Sequence, residues 1–142
     1  MLLKIKRLSP DAQLPRYAHS DDSGMDLSAL ADMLVAPGAR ALVPTGIALE
    51  LPPGTEAQIR PRSGLAARHG ISVLNTPATI DEGYRGEIKI ILVNFGDTAF
   101  EIKKGMRVAQ MVICPVLRPE ITECDDFPDT ARSASGFGST GV

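Results

Sequence analysis

The segment NTPATIDEGYRGEIKI (residues 75–90) predicts a strand that runs outward, a turn, and a second strand (GEIKIILVNFG) that returns. A plain hairpin turn needs only Gly or Asn at its tip. This turn instead carries an aspartate, a tyrosine and an arginine: Asp81, Tyr84 and Arg85. An aspartate in a partly buried turn can act as a general base on water, and a nearby tyrosine offers a flat wall to a sugar. The turn therefore predicts chemistry as well as chain reversal.

Strand patterns recur on both sides of this segment. LLKIKRL, near the start of the chain, alternates between apolar and polar residues, and ARALVPTGIALEL, TEAQIRP, GISVLN, TAFEIKK and MRVAQMVICPVL follow at short intervals. Turn clusters such as PPGT, FGDT and KKG separate them. Short strands with regular turn signals predict an all-β sandwich, jelly roll or barrel. Only SGLAARHG (residues 63–70) is typical of a helix, with Ser63 as its N-cap and Gly70 as its C-terminal stop.

Composition limits the classes of function. A chain of 142 residues predicts one domain with a core, and a net charge of −2 gives no basic field for a nucleic-acid polymer. There is no apolar run of membrane-spanning length, and the first residues predict a strand rather than a signal peptide. Cys114 and Cys124 lack metal-site spacing and a disulfide-rich context. We therefore expect a cytoplasmic protein that contacts neither membrane nor nucleic-acid polymer.

The end of the chain differs from the rest. After residue 118 there are few core-forming residues, and Phe137 stands alone among glycines and serines. The predicted division is a β domain over residues 1–118 and a C-terminal arm over residues 119–142. GFGSTG (residues 136–141) matches the dinucleotide fingerprint G-x-G-x-x-G but follows no strand and opens no helix, which excludes a Rossmann site. Its amides can still wrap an anion.

PRSGLAARHG (residues 61–70) predicts an anion site. A strand delivers Arg62 and Ser63 to the first turn of the helix. Free N–H groups at Gly64 and Leu65, the helix dipole, a hydroxyl and a guanidinium would then converge on one point, as a phosphate site requires. An N-cap serine beside a surface arginine explains the same residues, and the residues alone leave both interpretations open.

DDSGMDLSA (residues 21–29) supplies three carboxylates, Asp21, Asp22 and Asp26. Acid clusters on loops are usually solvated turn formers. A carboxylate near a polyphosphate can instead hold the water shell of Mg²⁺.

Five stretches, SGMDLSA, PRSGLA, IDEGYRGE, GMRVAQM and RSASGFGST, together resemble the ordered motif set of the homotrimeric dUTPases, and they cover the chain from Ser23 to Gly141. The resemblance implies a jelly-roll-like, all-β subunit, three of which share three active sites at their interfaces. It implies hydrolysis of dUTP to dUMP and diphosphate with Mg²⁺. It also implies the physiological role of this reaction, which limits uracil incorporation into DNA and supplies dUMP for dTMP synthesis.

The resemblance further implies roles for single residues. Asp81 activates the water that attacks the α-phosphorus, and Tyr84 packs against deoxyribose and leaves no room for a 2′-hydroxyl. The uracil edge pairs with the backbone of Ala78, Thr79 and Ile80, aided by the side chain of Asn75. Many family members have glycine where this chain has Ala78, so the backbone there must keep a negative φ.

The remaining implied residues surround the phosphates. Gln110 lies near the phosphates and the attacking water, and Asp26 lies near the hydrated Mg²⁺. Phe137 stacks on uracil as the arm closes over the site. The other implied substrate-binding residues are Arg62, Ser63, Gly64, Lys89, Arg132, Gly138, Ser139 and Thr140.

Two other functions fit the same sequence. A dCTP deaminase of the same fold also binds a deoxynucleoside triphosphate, but it needs an acid placed to activate water at C4 of cytosine. A nucleotide-sensing protein keeps the fold without turnover, and loss of the base would be its mark; Asp81 is present.

Overall fold

The computed structural model describes residues 1–131 and 133–134. Short β-strands dominate this part of the chain, so the all-β prediction is confirmed. The elements in chain order are β1 (Lys4–Arg7), β2 (Met25–Ser28), β3 (Met33–Val35), β4 (Arg40–Pro44), β5 (Ile47–Glu50), β6 (Thr55–Arg60), α1 (Ser63–His69), β7 (Ile71–Val73), β8 (Ala78–Ile80), β9 (Lys89–Asn94), β10 (Phe100–Ile102) and β11 (Arg107–Pro115).

The strands form small antiparallel sheets around one core, in agreement with the jelly-roll-like prediction. The largest sheet has the order β2-β11-β6-β8, and a three-stranded sheet has the order β4-β9-β7. Two further pairs, β1 with β5 and β10 with β3, extend the edges. Alternation along β6 buries Ala57 and Ile59 against the core while their neighbours face outward. Strands β2 and β3 were not predicted from the sequence.

Buried polar groups in the core are hydrogen-bonded. Asn94, which is fully buried, donates through Nδ2 to the carbonyls of Val35 (2.9 Å) and Thr98 (2.8 Å) and accepts from the Gly96 amide (2.8 Å). Thr45 donates to the carbonyl of Ile88 at 2.5 Å. These bonds join the ends of β3, β4 and β9. Because an unpaired polar group at such depth is costly, they favour the register in which every one of these groups is paired.

The predicted hairpin of residues 75–90 is wrong in its pairing. Strands β8 and β9 form, but β8 pairs with β6 and β9 pairs with β4 and β7, so the two lie in different sheets. Strand β9 instead pairs with β7, which precedes β8 in the chain. The Leu74 amide extends this ladder by donating to the Ile91 carbonyl (2.8 Å). The segment that carries Asp81 and Tyr84 is therefore a long connection that crosses between sheets.

Helix α1 is confirmed, with one correction at its start. Arg62 is the N-cap residue and no side chain caps the helix, so the predicted N-cap role of Ser63 is wrong. At the other end Gly70 adopts the left-handed conformation (φ 65°) that stops the helix, as predicted. The Phe95 amide donates to the Gly70 carbonyl (2.9 Å), which fastens the helix end to the strand β9 side of the core.

The chain leaves the β body after β11. The Val116 amide donates to the Gly54 carbonyl (2.9 Å), and residues 117–131 are exposed. The division at residue 118 stays a prediction. Ser133 has a φ of 43°, in the left-handed region that favours glycine. In the part of the chain that the structure describes, no helix has the length and apolar character needed to cross a membrane.

Candidate active site

The connection between β8 and β9 is shaped by its own backbone. The Tyr84 amide donates to the Asp81 carbonyl (3.0 Å), which closes a tight turn directly after β8. Arg85 folds back over this turn and donates to the carbonyls of Glu82 (2.7 Å) and Tyr84 (3.0 Å). The arginine noted in the sequence thus supports the turn.

Glu82 fastens the same turn to the rest of the domain. Its Oε2 accepts from the Gly54 amide (3.0 Å) and from Arg118 Nη2 (3.1 Å). The Gly54 N–H, followed by the Arg118 guanidinium, lowers the pKa of Glu82 because both favour the charged carboxylate. The turn that presents Asp81 is therefore tied to the start of β6 and to the chain that follows β11.

Asp81 and Tyr84 open onto a cleft of about 280 Å³, which we call the loop cleft. Asp81 itself is exposed in the single chain, whereas Glu82, Gly86 and Glu87 of the same connection are partly buried. Glu87, which sequence analysis missed, accepts from the Gly46 amide (2.9 Å) and lies 3.6 Å from Lys89 Nζ. The loop cleft is lined by Thr79, Ile80, Asp81, Tyr84, Glu87 and Lys89.

The second cleft, also of about 280 Å³, lies at the first turn of α1, and we call it the helix cleft. Strand β6 and the following Pro61 bring Arg62 and Ser63 to it, as the sequence predicted. Its lining residues are Ala18, Asp22, Ser23, Gly24, Asp26, Arg62, Ser63, Gly64, Arg107 and Gln110.

Asp26 organises the arginines of the helix cleft. It lies on β2, not on a loop, and its side chain is 17% exposed. One carboxylate oxygen is 3.0 Å from Arg62 Nε and the other is 2.8 Å from Arg107 Nη1. Arg62 Nη1 also donates to the Arg107 carbonyl at 3.1 Å. The carboxylate thus holds two guanidinium groups side by side, an arrangement suited to a multiply charged anion.

Arg107 reaches this cleft because of a β-bulge. In a regular strand, residues three apart point to opposite faces of the sheet. Here the register with β2 shifts between Arg107 and Ala109, so that Arg107 lies opposite Ser28 and Gln110 lies opposite Asp26. The extra residue brings Arg107 and Gln110 to the same face. Sequence analysis placed Gln110 in the site but missed Arg107, and no glycine marks the bulge.

The first turn of α1 offers fewer free amides than predicted. The Leu65 and Ala66 amides both donate to the Arg62 carbonyl at 3.0 Å, so the predicted free N–H at Leu65 is wrong. Ser63 is exposed, and its hydroxyl and the Gly64 backbone line the cleft beside Arg62. Two of the predicted elements of an anion site, the serine and the guanidinium, therefore line the same cleft.

Gln110 is oriented by its surroundings. Its Nε2 donates to the Pro61 carbonyl (2.9 Å), which leaves Oε1 as an acceptor in the helix cleft. A Cβ atom on Gly24 would lie only 2.2 Å from this oxygen, so the side chain occupies space that only a glycine leaves open. Asp22 lies nearby and accepts from the His19 amide (2.9 Å), the turn-forming role expected of a loop aspartate.

The two clefts share no lining residue in the single chain. The two residues predicted to act in catalysis, Asp81 and Gln110, consequently lie in different clefts. Asn75 and Ala78 lie beside the loop cleft along the chain but outside its lining, and Ala78 avoids positive φ, as required of it. The predicted residues Arg132, Phe137, Gly138, Ser139 and Thr140 lie outside the described residues.

The described residues do not build a metal site by themselves. Among them, no group of three or more His, Cys, Asp or Glu side chains could hold an ion. Asp26, the carboxylate predicted to lie near Mg²⁺, already binds two arginines. This donor set fits an ion that arrives with phosphate oxygens and keeps most of its water shell, as Mg²⁺ prefers.

Comparison with known proteins gives a consistent result. The dUTPase family model matches residues 10–141. The chain is 61% identical over 142 residues to a deoxyuridine 5′-triphosphate nucleotidohydrolase of Gloeothece citriformis, covering 100% of this chain and 98% of that protein. It is 59% identical over 140 residues to a protein of the same name from Alkaliphilus metalliredigens, covering 99% and 97%.

Solved structures agree with these relatives. A mutant dUTPase of Staphylococcus bacteriophage 80alpha, solved with dUpNHpp, is similar at a TM-score of 0.92 and 27% identity, covering 99% of each chain. A mutant dUTPase from phage phi11 of S. aureus, whose structure describes a structural Mg(II) ion, has a TM-score of 0.83 and 24% identity, covering 89% of this chain and 99% of that one. At 24% identity the second likeness concerns the fold alone.

Proposed function

Because this chain belongs to the dUTPase family, whose reaction is the hydrolysis of dUTP to dUMP and diphosphate, we propose that Asp81 is the general base of that reaction. The observation that carries the proposal is the position of its carboxylate, exposed on the loop cleft beside Tyr84. A carboxylate so placed can reach a water molecule next to a bound nucleotide.

The proposed step is an in-line displacement. Asp81 takes a proton from water, and the water oxygen forms a bond to the α-phosphorus. The bond between the α-phosphorus and the bridging oxygen to the β-phosphate breaks, and diphosphate leaves with that oxygen. The enzyme forms no covalent intermediate, so positioning and charge stabilisation supply the rate enhancement.

The helix cleft is proposed to hold the phosphates. Arg62 and Arg107 are aligned by Asp26, and Ser63 and Gly64 lie beside them. Gln110 accepts a hydrogen bond through Oε1, because its Nε2 is already used on Pro61. Arg107 is added here to the predicted phosphate-binding residues, and the arm residues Arg132, Phe137, Gly138, Ser139 and Thr140 keep the roles that the family resemblance implies.

Mg²⁺ is proposed to arrive with the triphosphate. When bound, it neutralises charge on the phosphate oxygens and on the leaving diphosphate. Asp26 would touch it only through water, because both carboxylate oxygens already hold arginines.

Base and sugar selection are proposed to reside in the loop cleft. The backbone of Ala78, Thr79 and Ile80, with the side chain of Asn75, pairs with uracil, and Lys89 lies at the same cleft. Cytosine presents a donor where uracil presents an acceptor, so it would leave a backbone N–H unpaired.

A comparison of four nucleotides as substrates tests the proposed selection of base and sugar. With Mg²⁺ and equal concentrations of dUTP, dCTP, dTTP and UTP, we expect diphosphate release from dUTP to exceed release from each of the others by about 10²-fold or more. Diphosphate is measured in a coupled assay and ammonia in parallel. Ammonia from dCTP would instead favour the deaminase, and binding of dUTP without turnover would favour a nucleotide sensor.

A homotrimer with shared sites is proposed as the assembly. The separation of Asp81 and Gln110 into clefts without a common residue supports it, because one nucleotide must meet both. In a closed ring, the loop cleft of one subunit can face the helix cleft of the next.

Subunit mixing tests the shared site. We expect Asp81→Asn and Gln110→Ala proteins to be almost inactive alone and to regain about a quarter of wild-type activity after equimolar unfolding, mixing and refolding, because random assembly pairs the intact halves in that fraction of sites. Each variant refolded alone is the control. No recovery in mixtures whose subunits demonstrably exchange would mean that both residues come from one chain.

A further inference from the structure

The ring of Tyr84 lies directly over the backbone of Gly86, which carries no side chain. A Cβ atom built on Gly86 would lie 2.3 Å from the Tyr84 hydroxyl oxygen, 2.5 Å from Cζ and 3.0 Å from Cε2. Carbon atoms in proteins pack at about 3.5–4.0 Å, so the ring and a residue-86 side chain exclude each other. The ring therefore occupies the space that the missing side chain leaves.

We propose that Gly86 is a specificity-determining position: its bare Cα seats the Tyr84 ring as the wall that separates deoxyribose from ribose. The inference rests on the sugar-facing role proposed for Tyr84. Gly86 is not proposed to touch the substrate, so it is a positioning residue that acts through the tyrosine.

A hydrogen bond at its tip also holds the tyrosine. Its hydroxyl donates to the Glu87 carbonyl at 3.1 Å, and the side chain is about half exposed. Glu87 is itself anchored, because its carboxylate accepts from the Gly46 amide at 2.9 Å. The hydrogen bond fixes the tip of the ring, and the absence of a side chain on Gly86 leaves the space in which the ring lies. Closing that space would push the ring off its acceptor into solvent.

The backbone at Gly86 does not itself require glycine. Its φ is outside the positive range that side chains rarely adopt, and the colliding atoms belong to the far end of one exposed side chain. A methyl group at residue 86 is therefore expected to leave the fold intact and to move Tyr84. Glycine at this position serves the placement of the ring.

The chain supplies a matched control in the same turn. Gly83 also avoids positive φ, and, apart from its chain neighbours Glu82 and Tyr84, a Cβ atom there would meet no heavy atom within 4 Å. Gly83→Ala thus repeats the change in backbone freedom three residues away, in the same turn.

The decisive measurement is the ratio of kcat/KM for dUTP to kcat/KM for UTP. For Gly86→Ala we expect this ratio to fall by about 10-fold or more, because displacement of the wall admits the 2′-hydroxyl. For Gly83→Ala we expect a ratio within about twofold of wild type. Thermal unfolding of each variant shows whether the fold is kept, and a general loss of stability would lower both substrates together instead of changing their ratio.

Tyr84→Leu separates the inference from the function on which it rests. We expect Tyr84→Leu to lower the ratio and Gly86→Ala to add no further change in the double variant, because the methyl group acts only through the ring. An unchanged ratio in Tyr84→Leu would overturn both the sugar-facing role and the inference. A lowered ratio in Tyr84→Leu with an unchanged ratio in Gly86→Ala would overturn the inference alone.

Discussion

Replacing Asp81 with asparagine is expected to lower kcat for dUTP hydrolysis by about 10³-fold, within the range found when a positioned general base is removed. Asparagine has nearly the same shape but cannot take the proton from water. Among the described residues Asp81 forms no ion pair, so the variant should keep its fold and its affinity for dUTP. Single-turnover rates and equilibrium binding of dUTP measure the two quantities separately.

Asp97→Asn is the control for this experiment. Asp97 is exposed in the turn between β9 and β10, so the substitution removes the same charge away from both clefts. We expect wild-type activity from it. Full activity in Asp81→Asn would move the role of base to another residue, and loss of dUTP binding in that variant would make Asp81 a binding group instead.

Gly70→Ala is expected to destabilise the protein by about 3 kcal/mol, from roughly 1 kcal/mol for a left-handed alanine and a further 1–3 kcal/mol for overpacking. Gly70 has a φ of 65°, and a Cβ atom there would lie 2.6 Å from the backbone nitrogen of Gly96. Backbone atoms cannot move aside as a side-chain tip can. Because α1 begins with Ser63 and Gly64, a shift of the helix end away from Gly96 would also disturb the turn proposed to bind phosphate.

Gly38→Ala is the control that separates the conformational part of this loss of stability from the overpacking part. Gly38 has a similar φ of 72°, but a Cβ atom there would meet nothing within 4 Å. We expect it to cost only about 1 kcal/mol, the conformational part. Urea unfolding at one fixed protein concentration compares the variants, since self-association makes stability depend on concentration. Equal midpoints for the two variants would mean that the contact with Gly96 contributes nothing.

Every strand except β2 and β3 could be predicted from the sequence because the alternation of apolar and polar residues is local, whereas the pairing of the strands could not. Strand β9 follows the turn that carries Asp81, and in the sequence it is the expected partner of β8. Both of its edges are already taken, by β4 and β7, so β8 pairs with β6 instead. Edge occupancy is a property of the whole sheet, and a run of residues such as KIILVN does not encode it.

The candidate site shows the same limit at the level of single residues. Motif resemblance led to Asp81, Gln110 and Arg62, which the structure places on the two clefts. Arg107 was missed because a bulge without a glycine reverses the direction in which its side chain points. Gly24 leaves space for the side chain of Gln110, and Gly86 leaves space for the ring of Tyr84. The sequence does not predict these contacts, because they depend on where a neighbouring side chain lies.

The connection that carries Asp81 crosses between two sheets, and this also limits how its length can evolve. One end is fixed where Leu74 binds Ile91, and β8 is fixed by its ladder to β6. Residues 81–88 must then span a set distance before β9 begins, so an insertion or deletion there would shift Asp81 or break a ladder. The turn around Gly38 has open space beyond it and no such double attachment. Length differences between lineages should accumulate in turns of that kind, while the connection that carries Asp81 changes only by substitution.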